Sequence, residues 1–278
     1  MSGSGSRAPF DAFFLPAGRG ERFCIFHPAV GAPLGSVLYL HPFAEEMNKS
    51  RRMAALQARA FAARGYNVLQ IDLFGCGDSG GDFGDARWDI WKADAALAVE
   101  WLGRQAEVPI YLWGLRLGAL LALDFSRQSG KSFAGLLLWQ PVVSGAQFMT
   151  QFLRLRLAGE MLAGGDANNG TEQLRAQLRA GKALEIAGYE LAPELAQVIE
   201  RLDLAALAPE NVPARWFEIS AEGKPSPALR RAALAWGAAG AEVDLHAVRG
   251  ELFWSSVEIS ECPELTAATS ESFALAAA

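Results

Sequence analysis

The stretch Tyr111-Leu112-Trp113-Gly114-Leu115-Arg116-Leu117-Gly118-Ala119-Leu120 decides how this chain is read. It has the pattern of an apolar strand, a sharp turn flanked by glycines, and an apolar helix. A strand that turns directly into a helix leaves no room for Cβ atoms beside the turn, so glycine is required on both sides. The frame is G-x-R-x-G, and the residue lifted at its tip is Arg116. A guanidinium stays protonated at any physiological pH and cannot attack a carbonyl.

Working outward, strands and helices alternate. Phe10 to Leu15 and Arg22 to His27 read as a hairpin of short strands joined by Ala17-Gly18-Arg19-Gly20. Ser36 to Leu40 is a buried strand running into His41-Pro42-Phe43. Asn48 to Arg64 is a helix, with Met53, Leu56, Ala60 and Phe61 on one face and Gly65 as its stop. Asn67 to Leu73 is the next strand, followed by the Gly-rich loop Asp72 to Gly81 and an amphipathic helix from Trp88 to Leu102. Beyond the central stretch, Phe133 to Trp139 is another buried strand. The alternation predicts a mostly parallel, doubly wound α/β sheet.

From Ser144 to Leu207 the pattern becomes helical: Phe148 to Leu162, Thr171 to Ala180 and Pro193 to Leu204, with a loop at Gly164 to Gly170. This reads as a helical lid, residues 144–207, inserted into a core of residues 10–143 and 208–278. Strands at Ala214 to Ser220 and Glu242 to Val248 resume the sheet, with helices at Pro227 to Trp236 and Pro263 to Phe273. Residues 1–9 are Gly/Ser-rich and expected to be disordered.

These motifs, in this order, resemble the α/β-hydrolase superfamily over about residues 20 to 273. There the elbow reads G-x-S-x-G with a serine nucleophile at the tip. His41-Pro42 stands where such proteins have a His-Gly oxyanion segment. Asp72 to Ser79 resembles their D-x-x-G-x-G-x-S loop, with Cys76 in place of a histidine. Three longer strings are similar to the exosortase A system-associated hydrolase of the second type: His41-Pro42-Phe43-Ala44-Glu45-Glu46-Met47-Asn48-Lys49-Ser50-Arg51-Arg52, Trp113 to Gly118, and Trp139-Gln140-Pro141-Val142-Val143. The resemblance implies an α/β-hydrolase fold, an ester or acyl hydrolase, and a bacterial protein encoded beside protein-sorting and exopolysaccharide machinery.

Ordinary catalysis in this fold needs Ser, Asp or Glu, and His in that chain order. Arg116 occupies the nucleophile position. Glu222, in Ser220-Ala221-Glu222-Gly223-Lys224-Pro225, is the candidate for the acid, or else a solvated turn glutamate. The loop Val248 to Trp254 should carry the base, and Glu251 or Leu252 stands there instead of histidine. His246 comes too early and reads as a strand residue. Cys76 has no histidine placed to activate it, and Ser79 reads as a turn hydroxyl.

Loops at the carboxyl ends of parallel strands converge on one crevice. Arg116, His41, Glu45, Glu46, Glu222 and Glu251 are therefore the candidate site residues. Three readings stay open: Arg116 rigidly paired with a carboxylate in a dead site, Arg116 presented to an anionic ligand, or Glu251 or Glu222 activating water. The expected partners are a small acyl or anionic molecule or a protein of the sorting system, and a homodimer is compatible with the sequence.

The net charge of −6 gives no basic footprint for nucleic acid. No apolar run reaches the roughly 18 residues of a membrane span. Three widely spaced cysteines show no metal-ligand spacing or disulfide framework, which fits a reducing cytoplasm. No cofactor is expected.

Overall fold

The computed structural model describes residues 10–162 and 170–274. The hairpin β1 (Asp11–Pro16) and β2 (Glu21–His27) opens the chain. There follow β3 (Gly35–Leu40), α1 (Glu45–Ala63), β4 (Tyr66–Ile71), α2 (Trp88–Gln105), β5 (Ile110–Leu115), α3 (Leu117–Gln128) and β6 (Gly135–Trp139). The chain then leaves the sheet through α4 (Gly145–Leu162), α5 (Thr171–Arg179), a hairpin β7 (Leu184–Ile186) and β8 (Tyr189–Leu191), and α6 (Pro193–Arg201). It returns through β9 (Ala214–Ile219), α7 (Pro227–Ala238), β10 (Val243–Val248) and α8 (Pro263–Ala274).

The main sheet has eight strands in the order β1-β2-β4-β3-β5-β6-β9-β10. Only the β1–β2 and β2–β4 pairs are antiparallel. This is the α/β-hydrolase fold. Strand β3 is buried at all six positions because helices cover both faces, as a central parallel strand requires. Its side chains alternate between two apolar layers. Leu38 and Leu40 join Leu112 in the layer under α2 and α3. Val37 and Tyr39 join Trp113, Phe61 and Phe273 in the layer under α1 and α8.

The expected order of elements matches the structure, with boundaries shifted by one to three residues at most ends. The segment between β6 and β9 differs in content. The helical reading did not include the β7–β8 hairpin, whose turn is Ala187-Gly188 with φ of 50° and 84°. A two-residue turn with both φ positive favours Asn-Gly or Asp-Gly, and alanine in the first position hides it. The expected start at 1–9 and the loop at Gly164 to Gly170, apart from Gly170, lie outside the described residues.

From β3 the chain moves to β4 on one side of the sheet and, later, to β5 on the other. That reversal places a crevice beyond the carboxyl ends of β3 and β5. Three non-glycine residues with positive φ mark the exits of three neighbouring strands: Ala44 (50°) after β3, Arg116 (56°) after β5 and Gln140 (42°) after β6. Such conformations cost of order 1–3 kcal/mol each, and they cluster where surrounding structure imposes them.

The imposing contacts are visible. A Cβ on Gly118 would overlap the carbonyl oxygen of Leu40 and come within 2.5 Å of that of His41. A Cβ on Gly114 would meet the Ala119 nitrogen at 2.6 Å. Gly118→Ala is therefore expected to lower stability by about 3 kcal/mol or more, since backbone on backbone cannot relax. Gly159→Ala, in α4 with open space around it, should raise stability by about 0.5–1 kcal/mol. Chemical denaturation of both variants measures the contrast, and equal effects would mean the elbow is not close-packed.

Candidate functional site

Arg116 sits between β5 and α3 with φ 56° and ψ −117°. Its N–H donates to the Trp139 carbonyl at 2.9 Å, and its own carbonyl accepts from Ala119 N–H at 3.1 Å. The backbone is thus clamped on both sides and the side chain projects above the sheet. Its Nε and Nη2 both donate to Glu46 Oε1, at 3.2 and 3.1 Å. The guanidinium carbon lies 5.4 Å from the Trp254 ring centre and 6.0 Å from that of Phe148, distances at which an aromatic face attracts a cation.

Glu46 reaches this point because α1 begins immediately after the tight exit of β3. Glu45 and Glu46 lie in its first turn, where negative charge complements the helix dipole. Side-chain exposure is 17% for Arg116 and 22% for Glu46. Burial raises the Glu46 pKa above the ordinary carboxyl value, although Arg116 and, further away, Lys49 pull it down. Its Oε2 is buried and has no hydrogen-bond partner. Burial therefore outweighs a pairing that satisfies only one of the two oxygens.

The crevice has a volume of about 550 Å³. Glu45, Glu46 and Lys49 of α1, together with Arg116, supply its charge. Phe148, Gln151, Phe152 and Leu155 of α4 line it at helical spacing, and Phe43, Ala187 and Trp254 add apolar surface. Glu45 Oε2 accepts from Tyr189 O–H and from Asn48 Nδ2, each at 3.1 Å, which ties the β7–β8 hairpin to α1. Lys49 has no ion-pair partner among the described residues. The Leu117 N–H opens α3 without a helical acceptor, and Phe43 N–H makes no backbone hydrogen bond among the described residues.

Of the expected site residues, Arg116, Glu45 and Glu46 meet in this crevice, and three others do not. His41 lies behind it. Its Nδ1–H donates to the Pro42 carbonyl at 2.7 Å, and its Nε2 accepts from Leu73 N–H at 3.2 Å. Burial lowers its pKa, so it is a neutral strut with no free nitrogen for a ligand. Glu222 is exposed on the turn after β9, which Ser220 Oγ closes through both backbone groups of Lys224. Glu251 is exposed after β10. Neither glutamate lines the crevice or bonds Arg116. The loop after β10 delivers Trp254 instead.

The chain's three histidines are all placed, and none lines the crevice. His27 faces Gln70 at 3.3 Å, and His246 pairs with Asp244 at 2.8 Å while stacking on Phe217. Burial pushes the Cys76 thiol far above its usual pKa, so it is not a thiolate. Ser79 Oγ accepts from Phe23 N–H at 2.8 Å and donates to the Asp72 carbonyl. The Asp72 carboxylate takes Arg51 at 2.8 Å and Asp78 N–H at 3.0 Å. The Gly-rich loop is a self-satisfied scaffold. Among the described residues no three metal-ligating side chains gather, and no helix is long and apolar enough to cross a membrane.

The sequence alone does not mark Trp254 as a crevice residue, nor Tyr189 as the partner that holds Glu45. The aromatic in the last loop was a signal for Trp254. Tyr189 sits on the unrecognised hairpin and gave none.

The model of the serine aminopeptidase S33 family matches residues 31–178, just over half of the chain. No curated protein sequence matches. Among solved structures, a thermostable carboxyl esterase from Bacillus coagulans in complex with glycerol superposes with a TM-score of 0.66 at 14% identity, covering 97% of this chain and 99% of the other. A lipase in its open form gives 0.66 at 18% identity, with 97% and 98% coverage. Est1E from Butyrivibrio proteoclasticus, bound to ferulic acid, gives 0.65 at 17% identity, with 95% and 98% coverage. At these identities the likeness is one of fold.

The Glu46 carboxyl holds its proton to higher pH in the folded state than the ordinary value of 4.5 allows when unfolded. Its contribution to stability is thus largest in acid and declines as pH rises from about 4.5 through the raised folded value. Without Arg116 that window extends further upward. Arg116→Met is expected to lose about 2–3 kcal/mol at neutral pH, somewhat less than a fully buried pair, and to converge on the parent near pH 4.5. Adding Glu46→Gln should recover part of the neutral-pH loss. Thermal melts across this range check it. A parent-like Arg116→Met at every pH would mean a solvated guanidinium.

Proposed function

The chain belongs to the serine aminopeptidase S33 family of hydrolases, and from that premise we propose that it keeps the hydrolase scaffold as a ligand-binding site rather than as a serine-triad enzyme. One observation carries this reading: the elbow tip is a paired cation, and no histidine lines the crevice around it. Proton abstraction from a hydroxyl needs a base within hydrogen-bond reach. The ligand is a small acyl or anionic molecule held by Arg116. Arg116 is suited to this because its fork binds carboxylate and phosphate oxygens by paired hydrogen bonds.

We assign the protein further to the exosortase-associated hydrolase type. The support is in the strings that carry the resemblance. His41 to Arg52 contributes Glu45, Glu46 and Lys49, and Trp113 to Gly118 contributes Arg116, so the two strings meet in the ion pair. The segment 144–207 serves as the lid, with Phe148, Phe152 and Leu155 on the crevice. The protein acts in the cytoplasm and serves a protein-sorting or exopolysaccharide system, as that resemblance implies.

A second reading, ester or acyl hydrolysis by activated water, is favoured by one feature: the unpartnered Oε2 of Glu46. The two readings separate in one assay. On the binding reading, a fluorophosphonate probe forms no adduct, and turnover of a p-nitrophenyl ester stays at the level of the uncatalysed reaction. Cys76→Ala and Ser79→Ala should leave any residual rate within tenfold. A loss above about a hundredfold, the scale of a general acid–base contribution, would reveal an overlooked nucleophile. A similar loss in Glu46→Gln would establish the water-activating reading.

A further inference from the structure

The crevice has two chemically different walls. Arg116 and α1 supply one, with Glu45, Glu46 and Lys49 within four residues of each other. Helix α4 supplies the other, and its crevice residues Phe148, Phe152 and Leu155 stand at i, i+4 and i+7 on one face. Leu155 lines the crevice and is half exposed, so its apolar side chain is only partly covered by the protein. Arg116 spends Nε and Nη2 on a single carboxylate oxygen, and Nη1 makes no hydrogen bond among the described residues. Lys49 has no ion-pair partner among the described residues.

We infer that the occupant is an amphipathic monocarboxylate, its carboxylate on Arg116 and Lys49 and its hydrocarbon tail along Phe148, Phe152 and Leu155. This rests on the ligand-binding reading and names the ligand class. Charge selects a monoanion. Two cations and two carboxylates already face the crevice, and a single negative charge can be taken up by the open edge of Arg116 with Lys49. A phosphate dianion would place its second charge beside Glu45 and Glu46, where like charges disfavour it. The apolar wall selects the tail, because a small hydrophilic anion would leave that surface wet. Burying it adds affinity in proportion to the apolar area covered.

Titration calorimetry on the full chain tests this with butyrate, octanoate, decanoate, methyl decanoate and inorganic phosphate. Affinity is expected to rise about two- to fourfold per methylene from butyrate to decanoate, the range for partly to fully buried methylenes. Methyl decanoate should bind at least tenfold more weakly than decanoate. Arg116→Met should erase that acid-over-ester preference. Leu155→Gln, at an exposed position that does not endanger folding, should flatten the chain-length series and leave butyrate unchanged. Anion binding that depends on Arg116 but not on chain length, or phosphate tighter than decanoate, would overturn the monocarboxylate class and leave the ligand-binding reading standing. No binding of any of these anions would overturn both.

Discussion

The constraint on which the site depends is the backbone contact between α3 and β3. Gly118 lies so close to the carbonyls of Leu40 and His41 that no side chain fits. That approach forces Arg116 into a left-handed conformation and lifts its side chain above the sheet, whatever that side chain is. In a serine hydrolase the same strain presents a hydroxyl. Here it presents a permanent positive charge to a half-enclosed crevice. An unpaired guanidinium there would cost several kcal/mol, against a total stability of about 5–15 kcal/mol for a domain. The charge at the tip therefore dictates its surroundings.

Those surroundings are supplied by the two elements the elbow already touches. The exit of β3 is equally tight, with Ala44 at φ 50°, and it starts α1 early enough to bring Glu46 alongside Arg116. Aromatic faces from α4 and from the loop after β10 complete the enclosure. The pairing is incomplete on both partners. One oxygen of Glu46 receives two hydrogen bonds and the other none, while one edge of the guanidinium remains open. Elsewhere in the molecule Arg51 meets both oxygens of Asp72, and in the buried Arg22–Asp94 pair the second carboxylate oxygen takes Phe74 N–H, so neither acceptor oxygen is left unpartnered as Glu46 Oε2 is. Asp72 locks a loop, and Arg116 is the residue proposed to bind an anion.

Much of this was legible in the sequence, for identifiable reasons. The elbow could be read because its glycines are sterically obligatory, and the mostly parallel sheet followed from alternating strand and helix patterns. The arginine at the tip stood in plain view, with Glu46 among four carboxylates able to reach it. Sequence distance could not choose among those four. The choice depends on where α1 starts, which is set by the Ala44 backbone. Glu222 and Glu251 were expected near the tip because catalytic acids and bases follow the corresponding strands. The turn after β9 is held by Ser220 and leaves Glu222 exposed, while the loop after β10 buries Phe253 and brings Trp254 to Arg116. His41 follows a central strand and so looked available, but its two ring nitrogens are consumed by backbone groups. The β7–β8 hairpin escaped notice because its turn lacks the usual residues, and Tyr189 was lost with it.

The central claim is that the elbow of this hydrolase-family chain anchors an anion at Arg116. The most direct measurement is a crystal structure after soaking with an ω-brominated octanoate, whose bromine marks the tail by anomalous scattering. The account predicts carboxylate oxygens within hydrogen-bond distance of Arg116, about 3 Å, and the bromine signal beside Phe152 and Leu155. A crevice free of the ligand at saturating concentration, or a carboxylate seated elsewhere with the Arg116–Glu46 pair untouched, would contradict it.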